Sequence, residues 1–311
     1  MSEKQQGNTA IIAALLANLG IAVTKFIAYL ISHSSSMLAE SVHSLADTGN
    51  QFLLLIGGKR ARREPTPEHP FGFGRERYVS AFVVSIVLFS LGGLFAVYEG
   101  IEKVANPHPL ENWWLPVAVL LVSIVLEGLS LRTALKESHA ARGDARLISF
   151  VRHAKAPELP VVLLEDTAAL TGLVFALAGV GLTTITGNGI WDGIGTIAIG
   201  VLLVAVALVL GVETKSLLIG ESASTADLER IRAAALAGDD IESIIHLRTL
   251  HIGPDDLLVA IKASVRPTES AAEIAQGIDV VEQRIRAAVP AARLIFVEPD
   301  IRREQTQSPQ L

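Results

Sequence analysis

Glu40, His43 and Asp47 stand three and four residues apart in the run Leu38-Ala-Glu-Ser-Val-His-Ser-Leu-Ala-Asp-Thr-Gly-Asn-Gln51. In a helix this spacing puts all three on one face, and Asn50 continues it. His and Asp one turn apart can converge on a single cation, and imidazole with carboxylate suits zinc or a similar first-row metal. The competing reading is a packed polar seam between helices or an ion pair. No Lys or Arg lies in this segment to serve as a partner nearby in sequence. Two ligands on one helix leave a tetrahedral site incomplete, and residues 160–172 supply Glu165 and Asp166, again without a basic residue among them. Adjacent helical residues diverge by about 100°, so one of these two is expected to face the metal squarely. The candidate ligand set is His43, Asp47 and Asp166, completed by Glu165 or water. Cysteine is absent from the chain, which excludes thiolate sites and disulfides.

Other ionisable groups form an outer circle of candidates. Glu99 and Glu127 are carboxylates inside apolar segments. For Glu127 an interhelical hydrogen bond is weighted over direct metal ligation. Asp192, with Thr196, opens an apolar segment beside Trp191, where a helix N-terminal carboxylate stabilising the dipole is the alternative to a functional role. Glu68 and His69 lie in the loop Pro67-Glu-His-Pro-Phe-Gly-Phe-Gly-Arg75 and could hold a second, weaker cation or be plainly solvated. His246 and His251, five apart on an expected strand, fall on opposite faces and make a poor pair.

These groups need elements to position them. Half of the 311 residues are hydrophobic and 19% are charged, against about 25% charged in soluble domains. Apolar stretches near the roughly 20 residues that cross hydrocarbon lie at about 10–32, 37–57, 78–103, 113–135, 159–184 and 190–211. The first is read as a retained membrane helix, being too long for a signal-peptide core. Basic residues crowd the loops after the second span (Lys59, Arg60, Arg62, Arg63, Arg75, Arg77) and the fourth (Lys136, Arg142, Arg146, Arg152, Lys155). The positive-inside rule then puts both termini in the cytoplasm, of a bacterial inner membrane for example, or on the matrix side of an organellar one. Trp113, Trp114 and Trp191 sit at expected span ends on the opposite side, as interfacial anchors.

From about Ser222 the character changes. A helix over 225–237 capped by Ser224 or Thr225, strands over 241–252 and 257–265 joined by Gly253-Pro254-Asp255-Asp256, a helix over 269–289 and a strand over 292–297 are expected. That order suggests a small open α+β sandwich with both helices on one sheet face. The expected organisation is a membrane all-α six-helix transmembrane domain over 1–215, a cytoplasmic α+β domain over 216–303 and a disordered tail over 304–311. The net charge of −6 and the lack of a basic stripe argue against nucleic acid as a partner. No activated Ser, Cys or metal-water motif supports an enzyme.

The chain resembles the cation diffusion facilitator family of metal transporters over nearly its whole length. The resemblance rests on the Ser-rich turn before the second span, His43-x-x-x-Asp47 with Asn50, His69-Pro-Phe-Gly-x-Gly-Arg75, Asp192, His246-Leu-Arg-Thr249 and Gly253-Pro254. It implies a homodimer that exports zinc or related ions in exchange for protons, with a ferredoxin-like C-terminal domain at the dimer interface. Zn²⁺ and H⁺ are then cargo, and no resident cofactor is expected. Zinc-exporting members carry a His four residues before the fifth-span Asp; here that position is Val162, and Leu163-Leu-Glu-Asp-Thr-Ala-Ala169 is similar to the branch that includes mitochondrial zinc transporters. Positions that bind zinc in the C-terminal domains of some relatives correspond to Ile245, Lys262 and Phe296. The alternatives to zinc transport are a membrane-anchored metal sensor or scaffold, and a transporter of Mn, Fe or Co.

Overall fold

The computed structural model describes residues 3–143 and 146–301, with side chains from Asn18 onward. The expected tail over 304–311 lies outside the described residues. The chain divides into two compact units, one formed by residues 1–62 and 76–215, the other by 63–75 and 216–311.

The first unit is helical: α1 (Glu3–Ser32), α2 (Ser35–Ala61), α3 (Glu76–Val87) continuing through a π-helical turn (Leu88–Leu94) into α4 (Phe95–Ala105), α5 (Trp114–Arg142), α6 (Leu147–His153), α7 (Glu158–Thr186) and α8 (Ile190–Ile219). Among the described residues four helical stretches are long and apolar enough to cross a membrane: 76–105, 114–142, 158–186 and 190–219. The described apolar part of α1, Asn18–Ser32, is shorter. The second stretch expected from the sequence, α2, is a helix of 27 residues outside that group of four. Its buried face carries Ser35, Ser36, Glu40, Ser41, His43, Ser44 and Asn50. Helices here also run past their expected ends, α5 to Arg142 and α8 to Ile219, and α6 occupies what was read as plain loop.

Helix ends follow local chemistry. His33 takes a left-handed φ of 55° and, with Ser34 as N-cap, reverses the chain between α1 and α2 in two residues. These helices form an antiparallel hairpin in which Asn18 donates to Gln51 at 3.2 Å. Gly187 ends α7 in the left-handed region, as expected of a C-terminal glycine. Small residues bring backbones close: a Cβ on Gly100 would stand 2.7 Å from the backbone nitrogen of Ile197, so α4 meets α8 at glycine distance. Leu88, Leu120, Val161, Leu173, Ile199 and Leu203 are among the side chains that fill the core. Val122, Val125, Val201, Leu208, Val212 and Ile185 point outward, all more than half exposed. A bundle with such an apolar exterior is built for lipid, and the chain is an integral membrane protein.

The second unit holds α9 (Thr225–Ala235), β1 (Ser243–Gly253), β2 (Asp256–Ser264), α10 (Ala271–Ala288) and β3 (Ala292–Asp300). The strand order is β1-β2-β3. β1 and β2 pair antiparallel with Thr249 opposite Val259, and β2 and β3 pair parallel with Ile261 opposite Val297. Ile231, Val259, Ile261, Val281 and Ile285 pack the helices against the sheet. Ser224 caps α9, and Ser270 with Glu273 forms a reciprocal capping box on α10, satisfying donors that a helix start leaves open. The loop 63–75 belongs to this unit. Gly74 lies against the β1–β2 turn, where a Cβ on it would meet the Ile252 carbonyl at 2.8 Å and Gly253 Cα at 2.9 Å.

Candidate metal site

The ligand face of α2 turns into the bundle. Glu40, His43 and Asn50 are buried at 0%, 1% and 0% exposure, and Asp47 has a side-chain exposure of 16%. His43 Nε2 faces Asp47 Oδ2 at 3.4 Å. Several buried polar atoms on this face make no hydrogen bond: both ring nitrogens of His43, of which Nε2 has only the long contact to Asp47, together with Asp47 Oδ1, Asn50 Oδ1 and Glu40 Oε1. Polar atoms withdrawn from solvent are normally paired, and orphans need a reason such as an ion.

A cavity of about 60 Å³ opens beside these atoms, lined by Asn18, Ser44, Asp47, Gln51, Glu127, Ser130, Val162, Glu165 and Asp166 together with Ile21 and Leu126. α1, α2, α5 and α7 all contribute to it. Both acidic neighbours of α7 line this space. Glu165 Oε1 accepts from Asn50 Nδ2 of α2 at 2.7 Å, and Asp166 Oδ2 accepts from Ser130 of α5 at 2.8 Å. The 100° between them directs one toward α2 and the other toward α5, and the cavity lies between those helices.

Glu127 also lines the cavity. The interhelical hydrogen bond expected for it is not found among the described residues. His43 lies outside the lining residues, and among the described residues no three His, Asp or Glu side chains converge closely enough to hold one ion. The four expected ligands share one region of the bundle without sharing one point.

Asp192 belongs to a different part of the first unit. It is fully buried, and its carboxylate accepts from Ser34 Oγ at 2.8 Å, the Ser35 backbone N–H at 2.7 Å, Ser35 Oγ at 3.1 Å and the Ser36 N–H at 3.4 Å. Thr196 joins the hydroxyls of Ser35 and Ser36 at 2.9 and 3.0 Å. The carboxylate thus closes the open N–H groups at the start of α2, besides sitting in the first turn of α8.

Glu68 and His69 lie in the second unit and are exposed; the His69 ring stacks on Phe73 at 4.6 Å. His251 is buried and His246 exposed. Lys262 donates to Glu298 at 2.9 Å and pairs with Asp300 at 3.1 Å; these two carboxylates push its ammonium above its ordinary range, the Glu298 hydrogen bond leading. Phe296 is exposed.

One charged group at the site escaped the sequence reading. Lys25 of α1 is fully buried, with Nζ 2.9 Å from Glu40 Oε2 and 2.8 Å from Ser44 Oγ. The counter-charge absent from the second apolar segment comes from the first. A lone Lys inside an apolar span was the available signal, since such a group in a membrane helix marks a partner or a function.

A helical membrane bundle with an acidic, partly water-sized cavity at its interior is the architecture of a cation-handling membrane protein. Residues 11–219 match the family model of the cation efflux transmembrane domain, and the chain belongs to that family of cation diffusion facilitators. It is 33% identical over 232 residues to a protein of Mus musculus named "Proton-coupled zinc antiporter SLC30A9, mitochondrial", covering 74% of this chain and 41% of that protein. It is 31% identical over 252 residues to "Metal tolerance protein C4" of Arabidopsis thaliana, covering 80% and 55%. The chain thus spans less than half the length of the mouse relative and little more than half of the plant one. A solved structure of the MamM C-terminal domain aligns at 23% identity, covering 25% of this chain and 94% of that one with a TM-score of 0.24.

Proposed function

We propose that this chain moves a divalent transition metal, zinc in the first instance, out of the cytosol in exchange for protons by alternating access. The observation that carries the reading is the set of buried polar atoms on α2 without a hydrogen-bond partner, the two ring nitrogens of His43, one of which is an acceptor in the neutral ring, with Asp47 Oδ1 and Asn50 Oδ1, beside a cavity lined by Asp47, Glu127, Glu165 and Asp166. Donors that share a region without converging suit an ion that is picked up and released rather than one held permanently. Loading would draw Asp47 and Asp166, with His43 and Glu165, around the ion, and Asn50 would release Glu165 as it does so. Imidazole and carboxylate bind metal only in their unprotonated forms, so each ion taken up competes with protons at the same atoms. That competition is the basis for exchange. The mouse relative's name, a proton-coupled zinc antiporter, supports the same reading.

Within this reading residues 1–215 form the transport domain with six spans and cytoplasmic termini, and residues 216–303 form a ferredoxin-like cytoplasmic domain that supports a homodimer. The lysine bridging Glu298 and Asp300 fills a position that holds zinc in some relatives, which leaves dimer support as the clearest purpose there. One imidazole against several carboxylates also suits harder ions such as Mn²⁺, so metal choice is read by competition. The test is zinc movement into proteoliposomes across an imposed pH gradient, with Mn²⁺, Fe²⁺ and Co²⁺ as competitors. Uphill zinc accumulation that collapses when an ionophore equalises pH supports exchange; unchanged accumulation with no other ion gradient present overturns it.

A further inference from the structure

The buried Lys25–Glu40 pair takes no part in the ligand set above, yet it adjoins that set. Glu40 lies one turn from Ser44 on α2, and Ser44 is shared: its hydroxyl accepts from Lys25 at 2.8 Å while the residue lines the cavity with Asp47, Glu165 and Asp166. Both charged side chains have 0% exposure. Glu40 Oε2 is held by the ammonium, whereas Oε1 is buried without a hydrogen-bond partner. Its place depends on glycine in α7, because a Cβ on Gly172 would stand 2.9 Å from Oε1.

Stability alone is a weak reason for such a pair, since apolar replacements of a buried ion pair are often neutral or stabilising. A carboxylate oxygen and a hydroxyl oxygen converge at hydrogen-bond distance, 2.9 and 2.8 Å, on one ammonium, and a second carboxylate oxygen, Glu40 Oε1, stands buried beside them without a partner; oxygen donors of this kind suit a divalent cation once the ammonium is gone and they can close to coordination distance. The cation in place is covalently attached to the chain.

We propose that Lys25 occupies a second divalent-ion position built by Glu40 and Ser44, and so limits the chain to loading one ion at the neighbouring cavity. The inference rests on the transport reading above, which brings the ion into that cavity. Lys25 acts on cargo number through Glu40 and is a positioning residue rather than a ligand. Its ammonium cancels the Glu40 charge, so the position presents no net attraction to a passing ion. With a neutral residue at 25, Glu40 and Ser44, with water, are free to take one.

The test is the stoichiometry of Zn²⁺ binding to the full chain in detergent, by calorimetry and by equilibrium dialysis with elemental analysis. The unmodified chain is expected to bind one ion, Lys25→Met two, and Lys25→Met combined with Glu40→Gln one again. Because Lys25→Met leaves a buried carboxylate unpaired, its fold is followed by size exclusion and circular dichroism, and Glu40→Gln supplies an independent arm. There the glutamine keeps an acceptor for the ammonium but not its counter-charge, and affinity at the cavity is expected to fall about tenfold or more through uncompensated repulsion. An unmodified chain that binds no zinc overturns the transport reading and this inference with it. One ion in both the unmodified chain and folded Lys25→Met, or unchanged affinity in Glu40→Gln, overturns the role of Lys25 alone.

Discussion

Asp192→Ala separates a structural carboxylate from a metal ligand. The substitution removes the acceptor shared by Ser34, Ser35 and Ser36 at the start of α2. The hydroxyls of Ser35 and Ser36 keep Thr196 as a partner, so the main losses are the Ser35 N–H bond at 2.7 Å and the Ser34 hydroxyl bond at 2.8 Å. A bond to a charged acceptor contributes about 1.5–3 kcal/mol, and a carboxylate at a buried helix N-terminus adds up to about 2 kcal/mol. The Ser36 N–H contact, at 3.4 Å, adds little. The two bonds together put the expected cost at about 3–6 kcal/mol, the dipole contribution overlapping with theirs, with roughly half of it for Asp192→Asn, which keeps an oxygen for Ser35 but loses the charge. Unfolding in mixed detergent micelles reads the stability, and zinc titration of the same samples reads binding. Lower stability with unchanged zinc affinity is expected. Stability within about 1 kcal/mol of the unmodified chain, together with lost zinc affinity, would refute the assignment.

Gly74→Ala forces a Cβ against the Ile252 carbonyl and Gly253 Cα, backbone that cannot step aside. Overpacking of this kind costs about 1–3 kcal/mol, and hydrogen exchange in residues 63–75 is expected to quicken. In α10, hydrogen bonds from the Ser270 backbone and side chain hold the Glu273 carboxyl below its ordinary value of 4.5. A carboxylate with a depressed folded value stabilises above its unfolded value and loses that contribution as pH falls through the folded one. Glu273→Gln is therefore expected to lower the stability of the C-terminal unit at neutral pH and to flatten its decline in acid, as followed by circular dichroism across pH. Ser130→Ala removes the donor that orients Asp166 and is expected to weaken zinc binding severalfold in calorimetry without altering stoichiometry.

The sequence made one face of the site legible and hid the rest for a physical reason. Glu40, His43, Asp47 and Asn50 follow helical spacing, so their common face needed no structure. The Asn50–Glu165 contact joins residues 115 apart, and no periodicity within one helix sets the rotation of another against it. The same limit governed Glu127, whose orientation toward the cavity depends on how α5 turns against α2 and α7. Asp192 looked like the opening carboxylate of its own helix and proves also to close the start of another, through the Ser-rich turn 158 residues earlier. In the C-terminal unit, alternation and turn chemistry gave the order helix, strand, strand, helix, strand, and only the element ends moved, by up to three residues, α9 stopping at Ala235 and β3 running on to Asp300. Lys25 was visible as a lone cation in an apolar stretch, but its partner could be named only from the hairpin register.

The ligand assignment stands or falls on zinc flux through Asp47→Ala and Asp166→Ala in proteoliposomes. Both variants should remain folded by size exclusion, because neither carboxylate is part of a helix cap or of the Lys25 pair. Each is expected to lose zinc transport and to bind zinc at least about a hundredfold more weakly, as removal of a charged ligand from an already sparse donor set requires. Full transport by both well-folded variants would contradict the account and place the ion elsewhere in the chain.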